Sequence, residues 1–214
     1  MRVLIIVALI LLVFSSAVAV DYYIDGCQCD LATSCPGMRI STCPRGDFER
    51  IQEGCGNDDD YIEITLRNYF GDPVPGVPSS DYWITPCDQV YELCYCVQHI
   101  VADSLTGPNG RTTFSGRISA GGCVPTGGIM MSCQGNTVMD EYCLYPFCID
   151  VIIVGPDINA DCEVDLSDLS FFGDSYNKDE GEPGYDTCCD FTDNGSCDLS
   201  DFAFFGQHYL HQCF

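Results

Sequence analysis

The chain has 214 residues, and its 32 acidic side chains outnumber its 8 Lys and Arg to leave a formal charge of −24. That balance argues against nucleic acid as a partner, because phosphate-binding surfaces must be basic. The 17 cysteines suit an oxidising compartment, where disulfides persist.

The N-terminus opens with Arg2, the apolar run Val3 to Phe14, Ser15-Ser16, and Ala17-Val18-Ala19. A positive start, a short apolar run and an A-x-A site predict a secretory signal peptide over residues 1–19. The run is too short for a membrane helix, which needs about 20 residues. A secreted product, extracellular or at the cell surface, with no membrane span is expected.

Residues 20–154 read as β-rich. The stretch from Tyr61 to Tyr69 alternates polar and apolar residues and predicts a half-buried strand. Gly71 to Pro78 is too rich in Gly and Pro for a central strand. Further strands are expected at Tyr82–Thr85, Val97–Asp103, Thr112–Ile118 and Ile129–Gln134, with a terminal one at Ile149–Val154. Turn signals at Gly107 to Gly110 and at Gly121-Gly122 divide them. Twelve cysteines lie between Cys27 and Cys148, enough for six disulfides to staple an antiparallel sandwich. Zinc is the rival use of these cysteines. The gaps in Cys27-x-Cys29 and Cys94-x-Cys96 are shorter than the usual zinc spacing, and only His99, His208 and His211 are present.

Arg67 to Val77 and Ala102 to Ser115 carry a turn and a hairpin pattern that resembles bacterial Ig-like domains. The resemblance covers about 50 of 135 residues and implies an Ig-like β-sandwich stapled by disulfides. The cysteine-rich start from Cys27 to Cys55 departs from that family.

A boundary is expected near Gly155-Pro156, where periodicity and charge both change. Residues 155–214 hold 14 acids against one base. They also contain an internal repeat offset by 33 residues, in which Asp165-Leu-Ser-Asp168 aligns with Asp198-Leu-Ser-Asp201. In the first copy Asp157, Asn159, Asp161, Asp165 and Asp168 occupy loop positions 1, 3, 5, 9 and 12, and Glu163 offers its carbonyl. In the second copy Asp190, Thr192, Asn194, Asp198 and Asp201 take the same places, with the carbonyl of Ser196. Alternate residues of a tight loop point inward, and Ca²⁺ takes six to eight hard oxygen ligands, so two calcium ions are expected. Each loop feeds one short amphipathic helix, with Leu169, Phe172 and Tyr176, or Phe202, Phe205 and Tyr209, at i, i+3 and i+7. An acidic connection, Asn177 to Thr187, is expected to be flexible.

Two loops in tandem, each with a single helix, resemble type I dockerin over the last 58 residues. The resemblance implies a small α domain over residues 155–214 that folds with calcium and docks onto a cohesin-like module of another protein. Leu166-Ser167 and Leu199-Ser200 stand at the recognition positions of that family, and their near-identity implies two docking orientations. The resemblance also implies a short β-bridge between the loops at position 8, held here by Val164 and Cys197. Cys197 is then expected to be a buried thiol, leaving Cys162, Cys188, Cys189 and Cys213 to form two disulfides. Three departures stand out: the long offset, Gly173-Asp174 and Gly206-Gln207 in place of Lys-Arg, and Cys162 at the loop position usually held by Gly.

No nucleophile elbow, H-E-x-x-H or phosphate loop occurs, so no enzyme is expected. Asp58-Asp59-Asp60 and Asp140-Glu141 read as solvated turns, the former with an extra calcium site as its alternative. Trp83 reads as core, with a sugar platform as its alternative, and His99 reads as packed or exposed. His208 and His211 sit at the end of the second helix, where positive charge suits the dipole. Asn194-Gly-Ser196 fits a glycosylation sequon that a loop ligand would sequester. The leading expectation is a secreted, non-catalytic calcium-binding protein that mediates attachment. The alternatives are a structural subunit of an extracellular filament or surface layer, self-assembling with like subunits, and a carbohydrate-binding or hydrolytic module carried on a dockerin.

Overall fold

The computed structural model describes residues 23–45, 60–115 and 118–213, with the side chains of 97–99 set aside. The expected signal peptide, Cys55, Asp58, Asp59 and the His99 side chain therefore lie outside the described residues. Strands dominate, and two short helices follow them. In chain order the strands are β1 (Asp30–Thr33), β2 (Met38–Ser41), β3 (Ile62–Thr65), β4 (Tyr82–Pro86) and β5 (Leu93–Ile100). They continue with β6 (Arg111–Phe114), β7 (Ile118–Gly122), β8 (Ile129–Cys133), β9 (Asn136–Thr137) and β10 (Val151–Val154).

Two three-stranded antiparallel sheets, ordered β1-β3-β6 and β4-β8-β9, contribute to one shared core. Ile62 and Ile64 from the first sheet meet Tyr82, Ile84 and Met131 from the second there. The rings of Tyr82 and Phe114 join the layers edge to face at 5.0 Å. Each such fully buried side chain is worth about 1.5–3 kcal/mol of transfer free energy. A separate pair, β5-β7, is antiparallel, whereas β10 runs parallel to β2.

Several expectations need correction. The span Thr112–Ile118 is divided between β6 and β7. Trp83 is not core: Tyr82, Ile84 and Pro86 of β4 point inward, and the alternation leaves Trp83 45% exposed. Gly121-Gly122 ends a strand instead of marking a turn. The cysteine-rich start contributes β1 and β2, and β2 is buried at every position, so it carries no alternating signal.

Beyond β10, helix α1 spans Leu166–Ser175 and α2 spans Leu199–His208. Asp165 and Asp198 cap them, each accepting the backbone N–H two residues on. Asp168 and Asp201 return the favour by accepting the N–H of Asp165 and Asp198. A second small core gathers Val164, Phe172, Cys189, Phe191, Cys197 and Phe205. Phe172 stacks on Phe191 and Phe205, but Tyr176, Phe202 and Tyr209 at the ends of the helical stripes stay exposed.

The connection expected to be flexible is tied at both ends. Lys178–Asp179 form β11, paired with β12 (Ser196–Cys197), and Asp186 N–H donates to Ser175 Oγ at 2.7 Å. The position-8 residues do not bridge one another either. Val164 pairs with the tail through Leu210 and His211, while Cys197 accepts the N–H of Asn177 at 2.7 Å. Each loop thus pairs with the segment that follows the other unit's helix.

The disulfides overturn the expected partition. Cys27–Cys143 and Cys87–Cys148 lie within the β-rich segment, but Cys94–Cys162, Cys96–Cys213 and Cys123–Cys188 cross into the last 60 residues. The reason is geometric. Cys94 and Cys96 are two apart on β5 and so share a face. Cys213 N–H donates to the Cys162 carbonyl, which sets those two residues side by side opposite that face. Cys189 is reduced and buried, as is Cys197.

Candidate metal centre

The two loops fold alike because their acids bond the same backbone groups. Asp157 accepts the N–H groups of Asp161 and Cys162 at 3.1 and 2.9 Å. Asp190 accepts those of Asn194 and Gly195 at 3.1 and 3.0 Å. At the far end Asp168 takes the N–H of Ile158 and Asn159, and Asp201 takes that of Thr192. Left-handed backbone recurs at matched sites: Ala160 with Asp193, Cys162 with Gly195, and Asn177 with Leu210. Cys162 therefore adopts the φ of +75° that its glycine counterpart adopts at +80°, and its bond to Cys94 holds it there.

Asp157, Asp161 and Asp168 bring carboxylate oxygens within 4.8 Å of one another. Asn159 and Asn194 line the same loops, donating to Ser167 and Ser200 Oγ at 2.8 and 3.2 Å. Thr192 Oγ1 donates to Asp201 at 2.9 Å. Asp165 and Asp198 are engaged as caps by Ser167 and Ser200. Glu163 and Ser196 meet the loop through their backbone N–H groups, which donate to Asp161 and Asn194. Asp60 is buried and accepts from Ser34 Oγ, well apart in sequence from the loops.

The electrostatics of this arrangement are unusual. Asp157, Asp168, Asp190 and Asp201 are at most 1% exposed. Among the described residues no Lys or Arg forms an ion pair with any of them. Burying carboxylates without a cation is costly. Burial, helped by the nearby Asp168 charge, pushes Asp157 up to about 7, and burial raises Asp168 as well. Hydrogen bonds from Ser167 and Ser200 hold the capping Asp165 and Asp198 below the usual carboxylate range. The donor set is all hard oxygen, which fits Ca²⁺ better than a transition metal.

A pH dependence follows from Asp157. Its unfolded value is about 3.9, so between roughly pH 4 and 7 the cation-free native state holds a proton that the unfolded chain has lost. The cation-free fold is therefore favoured at low pH and loses that contribution as pH rises through 7. A calcium ion taken up by this loop would have to displace the proton, so its affinity is expected to weaken below pH 7. Calorimetry in buffers of different ionisation enthalpy should record about one proton released per first-loop ion at pH 6 and almost none at pH 8.

Sequence reasoning missed two features that shape the loops. Gly122 N–H donates to the Asp157 carbonyl, and a Cβ on Gly121 would lie 1.8 Å from Asp157 Oδ2. The glycines permit close approach of the loop to β7. Gly121→Ala should displace the carboxylate at an overpacking cost of about 1–3 kcal/mol, roughly a 5- to 150-fold loss of first-loop calcium affinity by titration.

The other is Arg39, buried on β2. It pairs with Asp193 at 2.6 Å and donates to the carbonyls of Thr187 and Asp190. Arg39→Met should cost about 2–3 kcal/mol in denaturant unfolding by stranding those carbonyls. Its effect on calcium affinity should fall on the second loop.

No protein-family model and no curated protein matches this chain.

Proposed function

We propose that this is a secreted, non-catalytic calcium-binding protein whose loop-helix pair, of dockerin-like type, mediates extracellular protein–protein attachment. One observation carries the calcium reading: four buried carboxylates, repeated in register across two loops, have no basic partner among the described residues. Two Ca²⁺ ions would satisfy them, with Asp157, Asn159, Asp161 and Asp168 in one loop and Asp190, Thr192, Asn194 and Asp201 in the other.

Attachment is supported by what the helices leave uncovered. Leu169, Phe172, Gly173, Tyr176, Leu199 and Phe202, from both helices, line an apolar groove. Leu166 and Leu199, at the position the dockerin resemblance marks for recognition, are 66% and 67% exposed. The three crossing disulfides and Arg39 already seat the loops on the chain's own β-rich segment. The groove is then the surface left for a partner in trans, a cohesin-like module.

Calorimetric titration of the full chain against purified cohesin modules should give a one-to-one complex that chelation abolishes and Phe202→Glu prevents. A chain that binds none of them with calcium present would contradict attachment through this groove.

A self-assembling structural subunit is the second reading, favoured by Tyr69, Phe70, Tyr142, Leu144 and Tyr145, all at least 68% exposed. The loops that carry them border one cleft, lined by Gly71, Asp140 and Phe147. Sedimentation that shows a monomer with and without calcium would remove it.

A further inference from the structure

The tail beyond α2 carries a group of side chains that the calcium loops do not use. Cys43 Sγ lies 3.8 Å from His208 Nδ1 and 3.4 Å from His211 Nδ1, and the two ring nitrogens are 3.3 Å apart. One thiol and two imidazoles therefore converge, from chain positions more than 160 residues apart. Cys43 is fully buried and reduced, and His208 is 9% exposed.

These separations match a metal polyhedron. Zinc sits about 2.3 Å from sulfur and 2.0–2.1 Å from nitrogen, so tetrahedral ligands are spaced at about 3.5 Å for S···N and about 3.3 Å for N···N. Soft sulfur with borderline nitrogen selects a transition metal, whereas the carboxylate loops select a hard cation. The two classes of site would not compete for one ion.

The backbone holds the three residues in place. Cys43 N–H donates to the Ile118 carbonyl, and the adjacent Thr42 N–H donates to Val154. His208 ends α2, and Leu210, at a φ of +66°, turns the chain back. His211 N–H donates to the His208 carbonyl at 3.0 Å, while the His211 carbonyl accepts Val164 N–H at 2.8 Å. The disulfide from Cys96 to Cys213 fastens the tail two residues later.

Cysteine arithmetic points the same way. Seventeen is odd, so at least one thiol stays outside internal disulfides. Among the described residues, the other reduced cysteines fall into two neighbouring pairs, Cys29 with Cys133 and Cys189 with Cys197.

We propose that Cys43, His208 and His211 form a zinc site, distinct in chemistry from the calcium loops, that joins the β-rich segment to the C-terminal tail. Binding takes the proton from the Cys43 thiol and releases it to solvent. The thiolate and two imidazoles supply three ligands and leave the fourth position for water or an incoming donor.

The test uses the full secreted chain, stripped with chelator and returned to excess Ca²⁺ before Zn²⁺ or Co²⁺ is added. Expected are one zinc per chain retained through dialysis and a thiolate-to-cobalt charge-transfer band in the near ultraviolet. Cys43→Ser should abolish the band, and Cys197→Ser should not. His211→Gln, at a partly exposed position that spares folding, should weaken zinc binding by at least about 100-fold. Zinc that washes out in excess calcium would overturn the proposal. So would a band unaffected by both Cys43→Ser and His211→Gln, or peptide mapping that finds Cys43 in a disulfide.

Discussion

Replacing Asp157 and Asp190 together with alanine should remove both calcium ions and unfold the last 60 residues as a cooperative unit. Each aspartate accepts two backbone N–H groups, and of these four donors only that of Asp161 has a second side-chain acceptor, Asn159 Oδ1 at 2.9 Å. Stranding a donor costs about 1–3 kcal/mol, so the first loop, where Cys162 N–H is stranded, loses roughly 1–3 kcal/mol and the second roughly 2–6 kcal/mol before calcium is counted. A ligand at 100 times its Kd adds about 2.7 kcal/mol per site, and that also disappears. The thermal midpoint of the variant should be lower than that of the parent in chelator and should no longer rise with added calcium. Asp174→Ala, on an exposed turn of α1, is the control and should behave as the parent. A variant that still gains stability from calcium would mean that these acids are not the ligands.

The second large effect concerns the staple between the first loop and β5. Removing Cys94–Cys162 releases a loop closed over a sequence separation of 68, worth about 4 kcal/mol in the chain-entropy account. The informative variant is Cys94→Ala with Cys162→Gly. Glycine suits the left-handed backbone at 162, so the loss of the tether is read without added turn strain. Stability in denaturant should fall by about 4 kcal/mol, while first-loop calcium affinity changes less than threefold. If affinity collapses with stability, the disulfide shapes the loop itself as well as fastening it.

These variants also show where the sequence was readable. The loops were legible because their chemistry is local: ligand spacing, capping aspartates and the following helix all fall within one stretch of each repeat. Strands with clean alternation, such as the one ending at Thr65 and that holding Tyr82 and Ile84, were legible for the same reason. β2 was not, because Met38 to Ser41 is buried on both faces and its arginine looks like a surface residue until Asp193 and the Asp190 carbonyl are placed beside it.

Disulfide partners lay further out of reach. Spacing does not encode connectivity among many cysteines, and the meaning of Cys94-x-Cys96 depends on the tail returning beside Cys162. Trp83 illustrates a smaller limit: its apolar neighbours Tyr82 and Ile84 both point inward, so alternation alone sets it outside. The pair His208 and His211 looked like charge complementing a helix end, and only the fold brings Cys43 to them from the other segment.

Equilibrium dialysis of the full chain with metal analysis measures calcium in the two loops directly. Two calcium ions per chain are expected, bound at pH 8, weakened at pH 6, and reduced to one in Asp157→Ala or in Asp190→Ala. A folded parent chain that retains no calcium, or retains the same amount in both variants, would contradict calcium binding by these loops.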